Sequence, residues 1–371
     1  MKYLFSLVIF IHGAIHLLGF VKGFQWAPVE ALTADISRPA AMLWLVAFLL
    51  FFVTGVGLFT GESYWMVAAL LAIALSSVLI MSVWSDAKWG MVPNVILAFV
   101  VAGAFSSCSM NRMISKETDE ILALANKTGK VVTESDINHL PSAVINWIKT
   151  TGILGQPEIH TVWVKQRALM KMKPGQKEWN HAFAQQYVIT HEPSFLWTVE
   201  MDMSPLIKIK GRDKYVDGRG EMLIKMNSLI NVVNEKGPQM DEGTLQRFLG
   251  ELVWYPSVAY SPYIFWEQLD DYSARATMTY KGVSGSGVFY FDKDYNFIKF
   301  EALRYMGNKE DAPKHPWIIT VDDYAVFDGI RVPSRMQATW KLDEGDWTWL
   351  KLVIEDLQYN VDEPVGEESG G

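Results

Sequence analysis

Four long apolar runs in the first 110 residues constrain this chain more than any other feature of its sequence. They extend over residues 3–21, 39–60, 64–84 and 91–109. At about 1.5 Å of rise per residue, a helix of this length crosses a hydrocarbon layer roughly 30 Å thick. The ends of the runs carry aromatic residues, which prefer the headgroup layer of a membrane: Trp26, Tyr64, Trp65, Trp84 and Trp89. We therefore predict a four-helix transmembrane domain over residues 1–110.

A few polar residues interrupt the apolar part of the sequence. His12 and His16 are four residues apart, so they share one face of the first helix. Buried imidazoles in a helical bundle commonly form hydrogen bonds between helices, and this is the interpretation that we favour. The alternative is that His12 and His16 bind a metal ion or haem, or relay protons or electrons together with Asp86 and the neighbouring Asn94. Unless that alternative holds, we expect no cofactor.

The second part of the chain is polar and changes its periodicity. Residues 111–139 predict a linker with a short helix over 117–126. We predict a soluble β-rich domain over residues 140–363, which starts with a helix from Pro141 that ends before Gly152. Beyond Pro157, apolar and polar residues alternate with period two, as in Phe195 to Asp202, which is typical of strands with one buried face. Turn-forming residues separate roughly nine to eleven such strands at hairpin-sized intervals, so we predict a mostly antiparallel sheet. Residues 364–371 predict a disordered tail.

One helix interrupts the predicted strands, and its polar residues suggest a site. The pattern predicts this helix over 241–254, with Asp241 as its cap and Arg247 one turn before Glu251. The predicted fold is a strongly curved antiparallel half-barrel covered by this helix. Its large rings either make a core or line an apolar cavity. The candidate ligand-binding residues are Trp197, Arg247, Glu251, Trp254, Tyr255, Trp266 and Trp340.

Two interpretations of these residues remain open. In the first, Arg247 and Glu251 form a surface ion pair, and Trp254 anchors the helix on the sheet. In the second, the helix is a lid, the rings line the mouth of a cavity, and the charged pair meets a polar headgroup.

Charge and motifs exclude several classes of function. The net charge of -8 provides no basic face for nucleic acid. No zinc-protease signature, nucleophile elbow, phosphate-binding loop or dinucleotide fingerprint occurs, so the sequence indicates no enzymatic activity. The glycine-rich stretch Gly282 to Gly287 predicts a β-turn, because predicted strands flank it on both sides.

Four sequence motifs resemble a bacterial membrane-protein family of unknown function. They are Ile11-His12 through Gly19-Phe20, Trp84-Ser85-Asp86-Ala87-Lys88-Trp89-Gly90 with Asn94, Gly218-Arg219-Gly220-Glu221-Met222, and Leu245-Gln246-Arg247-Phe248-Leu249-Gly250-Glu251-Leu252-Val253-Trp254-Tyr255-Pro256. That family pairs a helical membrane region with a soluble domain similar to the half-barrels of the Lol (LolA/LolB-like) lipoprotein carriers. The resemblance implies an apolar cavity that binds acyl chains. It also implies a multi-pass protein of the bacterial inner membrane, with its soluble domain outside the cytoplasm.

The leading hypothesis is a membrane-anchored protein that binds a lipid or another hydrophobic molecule near the bilayer surface. Its expected partners are membrane lipids, a hydrophobic small molecule or an envelope protein. The first alternative places the function in the bundle, at His12 and His16. The second is a scaffolding module whose sheet recognises another envelope protein.

Overall fold

The structure, a computed structural model, describes residues 2–204 and 207–366. The chain divides into two compact units, residues 1–110 and 111–371. The predicted tail lies outside the described residues from residue 367 onward. The helices are α1 Lys2–Ile15, α2 Leu17–Gly23, α3 Arg38–Thr60, α4 Trp65–Ser82, α5 Trp84–Ala87, α6 Met91–Leu122, α7 Glu134–Ile137, α8 Ser142–Thr151 and α9 Pro238–Glu251.

The first unit contains helices that are long and apolar enough to cross a membrane. There are four such segments in the described part of the chain: Lys2–Gly23, Arg38–Thr60, Trp65–Ser82 and Trp84–Leu122. The first of them is interrupted at His16, which separates α1 from α2. His16 Nδ1 lies 3.0 Å from the carbonyl oxygen of His12, and the backbone N–H of His16 donates to Gly13 at 2.9 Å. These local hydrogen bonds tighten the turn at the break.

Helix α6 corrects the predicted linker, because it continues without a break through residue 122. Its last turns pack on the sheet of the second unit, where Ile121 and Leu122 are buried against Trp163. Glu117 forms ion pairs with Arg212 at 3.1 Å and with Lys214 at 2.7 Å. The segment is therefore polar because one face of this helix carries polar residues, while its other face packs on the sheet.

The second unit is built on one antiparallel sheet, which confirms the predicted strand arrangement but has 13 strands, more than predicted. The strands are β1 Thr161–Met170, β2 Asn180–Ile189, β3 Ser194–Ser204, β4 Ile207–Val216, β5 Arg219–Met226, β6 Ile230–Lys236, β7 Ile264–Asp270, β8 Ser273–Tyr280, β9 Val283–Phe291, β10 Phe297–Tyr305, β11 Lys314–Phe327, β12 Ile330–Leu342 and β13 Gly345–Tyr359. Their spatial order is β6-β5-β4-β3-β2-β1-β13-β12-β11-β10-β9-β8-β7. Strands such as β6 are exposed along nearly their whole length, so their sequence carries no burial alternation.

Helix α9 lies in the curve of the sheet. It contacts β5 near one edge and β9 near the other, although β4, β3, β2, β1, β13, β12, β11 and β10 lie between them in the sheet order. A helix can touch both strands only if the sheet curls around it. We call the side that faces α9 the concave face and the opposite side the convex face.

The start of α9 differs from the predicted one. The helix begins at Pro238, after Gly237 with φ of 122°, so Asp241 is inside the first turn. Asp241 instead accepts hydrogen bonds from the backbone N–H of Gly220 and from Arg219, both at 2.8 Å. These contacts attach the helix to β5.

Glycines in β9 allow α9 to pack closely on the sheet. The turn predicted over residues 282–287 is confined to Lys281 and Gly282, and Val283 already begins β9. A Cβ atom at Gly285 would lie 2.7 Å from Cγ of Gln246, and one at Gly287 would overlap the ring of Phe300. The core of the second unit forms between the concave face, α8 and α9, whereas Trp163 lies on the convex face with α6.

We predict that Gly220→Ala destabilises the second unit by about 1–3 kcal/mol, the usual cost of overpacking. The new Cβ would lie 2.6 Å from the backbone carbonyl oxygen of Met240, which cannot move without displacing α9. Chemical unfolding of the full-length protein, followed by tryptophan fluorescence, measures the change. Gly366→Ala is the control, because no described residue lies within 4 Å of its Cβ position. Equal stabilities of the two variants would contradict the proposed fit of α9 on β5.

Candidate functional site

A buried layer of charged and amide side chains joins α9 to the concave face. Arg247 extends from the helix and donates three hydrogen bonds: from Nε to Glu251 Oε1 at 2.7 Å, from Nη1 to Asp213 Oδ2 at 3.0 Å, and from Nη2 to Gln186 Oε1 at 2.9 Å. The Gln186 amide donates in turn to Glu251 Oε2 at 2.7 Å. Arg247 therefore bonds all three other groups of this layer, and Gln186 and Glu251 also bond each other.

Two aromatic rings pack on the guanidinium of the buried layer, and burial shifts the pKa values of its charged groups. The guanidinium of Arg247 lies 4.8 Å from the ring centroid of Trp197 and 4.9 Å from that of Phe195. Burial raises the pKa of Asp213, although Arg247 and Arg212 oppose this shift. Burial opposes the charged form of Arg247 as well, but the Glu251 and Asp213 carboxylates raise the pKa of Arg247 overall. The ion pairs thus depend on each other for charge compensation.

The structure separates the predicted ligand-binding residues into three places. Arg247, Glu251 and Trp197 form the buried layer, so the Arg247–Glu251 pair is not on the surface. Trp254, Tyr255 and Trp266 are core residues whose polar atoms already donate to backbone carbonyl oxygens, those of Pro333, Phe248 and Ala259. Trp340 lies elsewhere on the concave face and is half-buried. Trp254 therefore anchors the end of α9 in the core, as the first interpretation expected.

A second cationic group lies on the opposite wall of the concave face. Arg304 of β10 donates from Nη2 to the carbonyl oxygen of Gly243 in α9, at 2.7 Å. Its guanidinium lies 4.1 Å from the ring centroid of Trp317 and 5.9 Å from that of Trp340. Trp317 pairs with Trp340, and Trp340 pairs with Trp347 on the next strand, so the three indoles share the concave side. We call Arg304, Trp317, Trp340 and Trp347 the arginine–tryptophan wall.

Beyond the buried layer, the concave face is apolar and only partly covered. Five large side chains there pack against the core while remaining half-buried: Ile224, Met226, Trp340, Leu350 and Leu352. Small residues alternate with them on β1, β2 and β4, namely Ala168, Ala182, Ala184 and Gly211. A cavity of about 530 Å³ lies at the rim, between the β1–β2 loop and the β12–β13 hairpin, and includes Trp347 and Leu342 in its lining.

A larger cavity, of about 1140 Å³, lies on the convex face of the second unit. It is lined by the end of α6, strands β1 to β4 and residues 364–366. Its charged residues have both signs, Lys165 and Lys210 against Glu200 and Asp356, and Lys210 already donates to Asn111 at 2.6 Å. A cavity lined by charges of both signs is not suited to an apolar ligand.

The polar residues of the first unit form a closed ring of hydrogen bonds. His12 Nε2 lies 3.0 Å from Asn94 Oδ1, Asn94 Nδ2 donates to Ser76 Oγ at 2.9 Å, and Ser76 Oγ lies 2.8 Å from His16 Nε2. His16 Nδ1 closes the ring on the backbone of His12. With neutral imidazoles, every donor in this ring faces an acceptor. The ring connects α1, α4 and α6, in agreement with the interhelical role that we favoured.

Asp86 is not part of this ring. Its carboxylate accepts from the backbone N–H of Thr33 at 2.6 Å, from that of Ala34 at 3.3 Å and from the Thr33 hydroxyl at 2.9 Å. It therefore fixes the loop between α2 and α3. Within the described residues, no three His, Cys, Asp or Glu side chains are grouped to hold a metal ion. The hypothesis of a metal or haem at His12 and His16 stays a prediction.

Sequence reasoning missed Asp213, Gln186 and Arg304. A signal for the first two was present, because the inward positions of β4 read Ile209, Gly211, Asp213 and Tyr215, which puts a carboxylate on an otherwise buried face. The inward positions of β2 place Gln186 in the same way. Arg304 carried no such signal, since β10 is only partly buried around it.

Similarity to known proteins agrees with the predicted resemblance in part. Residues 130–352 match a family described as "Family of unknown function (DUF6544)". The chain belongs to this family. The DUF6544 segment contains α9, the buried layer and the arginine–tryptophan wall. No curated protein matches the chain at a significant level.

One solved structure is weakly similar to this protein. It is the crystal structure of the LolA superfamily protein NE2245 from Nitrosomonas europaea, with 11% sequence identity and a TM-score of 0.32. The similarity covers 58% of this chain and 91% of that chain.

We predict that Arg247→Met lowers the free energy of unfolding of the second unit by about 3–5 kcal/mol, because it leaves two buried carboxylates without a cation. Denaturant unfolding of the full-length protein measures the loss. Arg275→Met is the matched control, since Arg275 pairs with Glu267 at 2.8 Å but both side chains are about half exposed. The control should cost under about 1 kcal/mol. A similarly small cost at Arg247 would show that the buried layer does not hold α9.

We predict that Asn94→Leu destabilises the helical bundle by about 1–2 kcal/mol, because it opens the hydrogen-bonded ring between helices. Thermal unfolding of the full-length protein in mild detergent measures the effect. Ser82→Ala is the control, because the Ser82 hydroxyl donates only within its own helix, to Leu79 at 2.6 Å. If both variants melted at the same temperature, the ring would contribute nothing to the bundle.

Proposed function

We propose that this protein is a membrane-anchored, non-enzymatic binding protein whose second unit holds a lipid or another hydrophobic molecule on its concave face. The observation that carries the proposal is the half-buried apolar surface beyond the buried layer, formed by Ile224, Met226, Trp340, Leu350 and Leu352. A single-chain core normally buries its large inward side chains completely. Each square ångström left accessible forgoes about 25 cal/mol, which an apolar ligand would recover.

The geometry of the concave face suits a long, narrow ligand. Small residues on β1, β2 and β4 lie beside the larger, half-buried side chains of β5 and β13, so the large apolar groups follow a narrow strip of the concave face. The buried layer bounds this region on one side, because Arg247, Asp213, Glu251 and Gln186 satisfy each other. A ligand chain would therefore run from the buried layer toward the rim cavity of about 530 Å³, a volume typical of small-molecule sites.

The first unit supports the membrane anchor. Its four apolar helices are long enough to cross a bilayer. Many of their large apolar side chains point outward and are more than 40% exposed, for example Leu4, Leu7, Ile11, Phe52, Leu71, Val78 and Phe99. Such an outer surface is suited to an apolar solvent, which supports the proposed anchor. Anchoring would keep the binding domain close to a supply of lipid.

We predict that a 16-carbon fatty acid with a diazirine in its chain labels the concave face on irradiation, in full-length protein held in phosphatidylcholine nanodiscs. Peptide mass spectrometry should place the label on β1 to β5 or β13. Leu352→Gln should reduce this labelling about tenfold, because it removes the transfer free energy of one leucine.

Val353→Gln is the matched control. Val353 is the next residue of the same strand, pairs with the exposed Arg167, and so lies on the convex face. Its substitution should leave the labelling unchanged. Label confined to the four apolar helices, or equal loss in both variants, would refute the proposed site.

A further inference from the structure

The arginine–tryptophan wall contains unused hydrogen-bond donors. Arg304 Nε, Trp317 Nε1 and Trp347 Nε1 are buried atoms that have no hydrogen-bond partner among the described residues, and Trp349 Nε1, two residues after Trp347, is a fourth. Trp317 as a whole is only 4% exposed. Buried indole and guanidinium N–H groups normally find an acceptor, because leaving one unpaired costs free energy. All four of these atoms are donors.

The carboxylates around Arg304 are paired with other cations. Asp213 and Glu251 are both bound by Arg247, and Glu242 is bound by Lys314 at 2.6 Å. The protein contact of the Arg304 guanidinium is a neutral carbonyl oxygen, that of Gly243. Burial, together with the nearby Arg247, lowers the pKa of Arg304 to about 9. An anion at this place would reverse that electrostatic cost.

We propose that the arginine–tryptophan wall binds the anionic head group, a carboxylate or a phosphate, of a single-chain amphiphile whose apolar chain lies on the concave face. This inference rests on the proposed function and specifies the class of ligand. The wall provides a positive charge and an N–H donor at Arg304, next to the unpartnered indole N–H of Trp317, and an oxyanion bound to the guanidinium would form charge-assisted hydrogen bonds. The half-buried side chains beyond it would contact the chain.

The rim is compatible with the entry of an anion. The cavity of about 530 Å³ includes Trp347 in its lining, together with Lys171 and Lys177 of the β1–β2 loop. Two acidic residues also line it, Glu344 and Asp346, and Asp346 is paired with Lys341. The lining thus has two lysines and two carboxylates, and Lys341 compensates one of these carboxylates.

The test compares three competitors with the same 16-carbon chain: palmitate, hexadecyl phosphate and hexadecanol. Each competes with the diazirine fatty acid for full-length protein in phosphatidylcholine nanodiscs. We expect at least one of the two anions to compete at least tenfold more strongly than hexadecanol, as charge-assisted hydrogen bonds imply. Preference for palmitate would identify a carboxylate ligand, and preference for hexadecyl phosphate a phosphate ligand.

Variants of the wall separate recognition from folding. Arg304→Gln should weaken both anions about tenfold or more and leave hexadecanol unchanged. Trp317→Phe keeps the ring under the guanidinium and removes one donor, so it should weaken the anions by a smaller factor. Trp254→Phe is its matched control, because Trp254 Nε1 is engaged with Pro333 in the core. That variant should retain the anion preference.

The outcomes distinguish the two proposals. If hexadecanol competes as well as both anions, the head-group inference is wrong while the proposed function stands. If none of the three competes, the proposed function fails as well. If Arg304→Gln does not fold, the wild-type series and Trp317→Phe still decide the question. Equal competition by hexadecanol and the anions in the wild type overturns the inference, and so does an anion preference that Trp317→Phe leaves unchanged.

Discussion

The position of α9 depends on the hydrogen-bonded ion pairs of Arg247 with Asp213 and Glu251. Two carboxylates and a guanidinium at the inner face of a sheet are tolerated only if each compensates the other, because an isolated buried charge costs several kcal/mol. Gln186 completes the set and joins β2 to the helix. The helix therefore has one acceptable position along the sheet. The strands must curl around that position to bury the remaining apolar side chains.

The same arrangement decides where a ligand can be held. The donors and acceptors of the buried layer are bonded to one another, so they are not available to a ligand. The end of α9 is also closed, because Trp254 and Tyr255 are fully buried and bonded to backbone carbonyl oxygens. Half-buried apolar side chains and buried donors that have no partner among the described residues occur together on the other side of the layer. A ligand held there, as we propose, would contact surface and donors that the fold itself does not use.

The sequence predicts elements with strong local patterns and misses those that depend on distant partners. Apolar runs of about 20 residues predict the membrane-type helices, and strict alternation predicts strands such as β3. The sequence predicts a linker over residues 111–122, whereas the structure forms a helix there. Its apolar face packs on residues such as Trp163, more than 40 positions away, so no local pattern indicates the contact. Asp213 meets Arg247 34 residues later in the chain, a pairing that no local pattern contains. The exposed strand β6 has no burial pattern to detect.

Arg304 and Arg247 differ in the groups that hold their guanidinium groups in place, and the close packing of α9 on the sheet explains the difference. Gly285 allows α9 to approach β9 so closely that a Cβ at this position would collide with Gln246 of the helix. Gly287 leaves room for the ring of Phe300, on which Gly250 of α9 packs. With the helix this close, the Gly243 carbonyl oxygen accepts from Arg304, whose guanidinium lies 4.1 Å from the ring centroid of Trp317. The location of this cation is thus set by backbone packing and by an aromatic ring, and no carboxylate of residues 2–204 or 207–366 forms an ion pair with it. A guanidinium held in this way keeps its charge available, whereas that of Arg247 is already neutralised, and only an available charge can contribute to binding an anion.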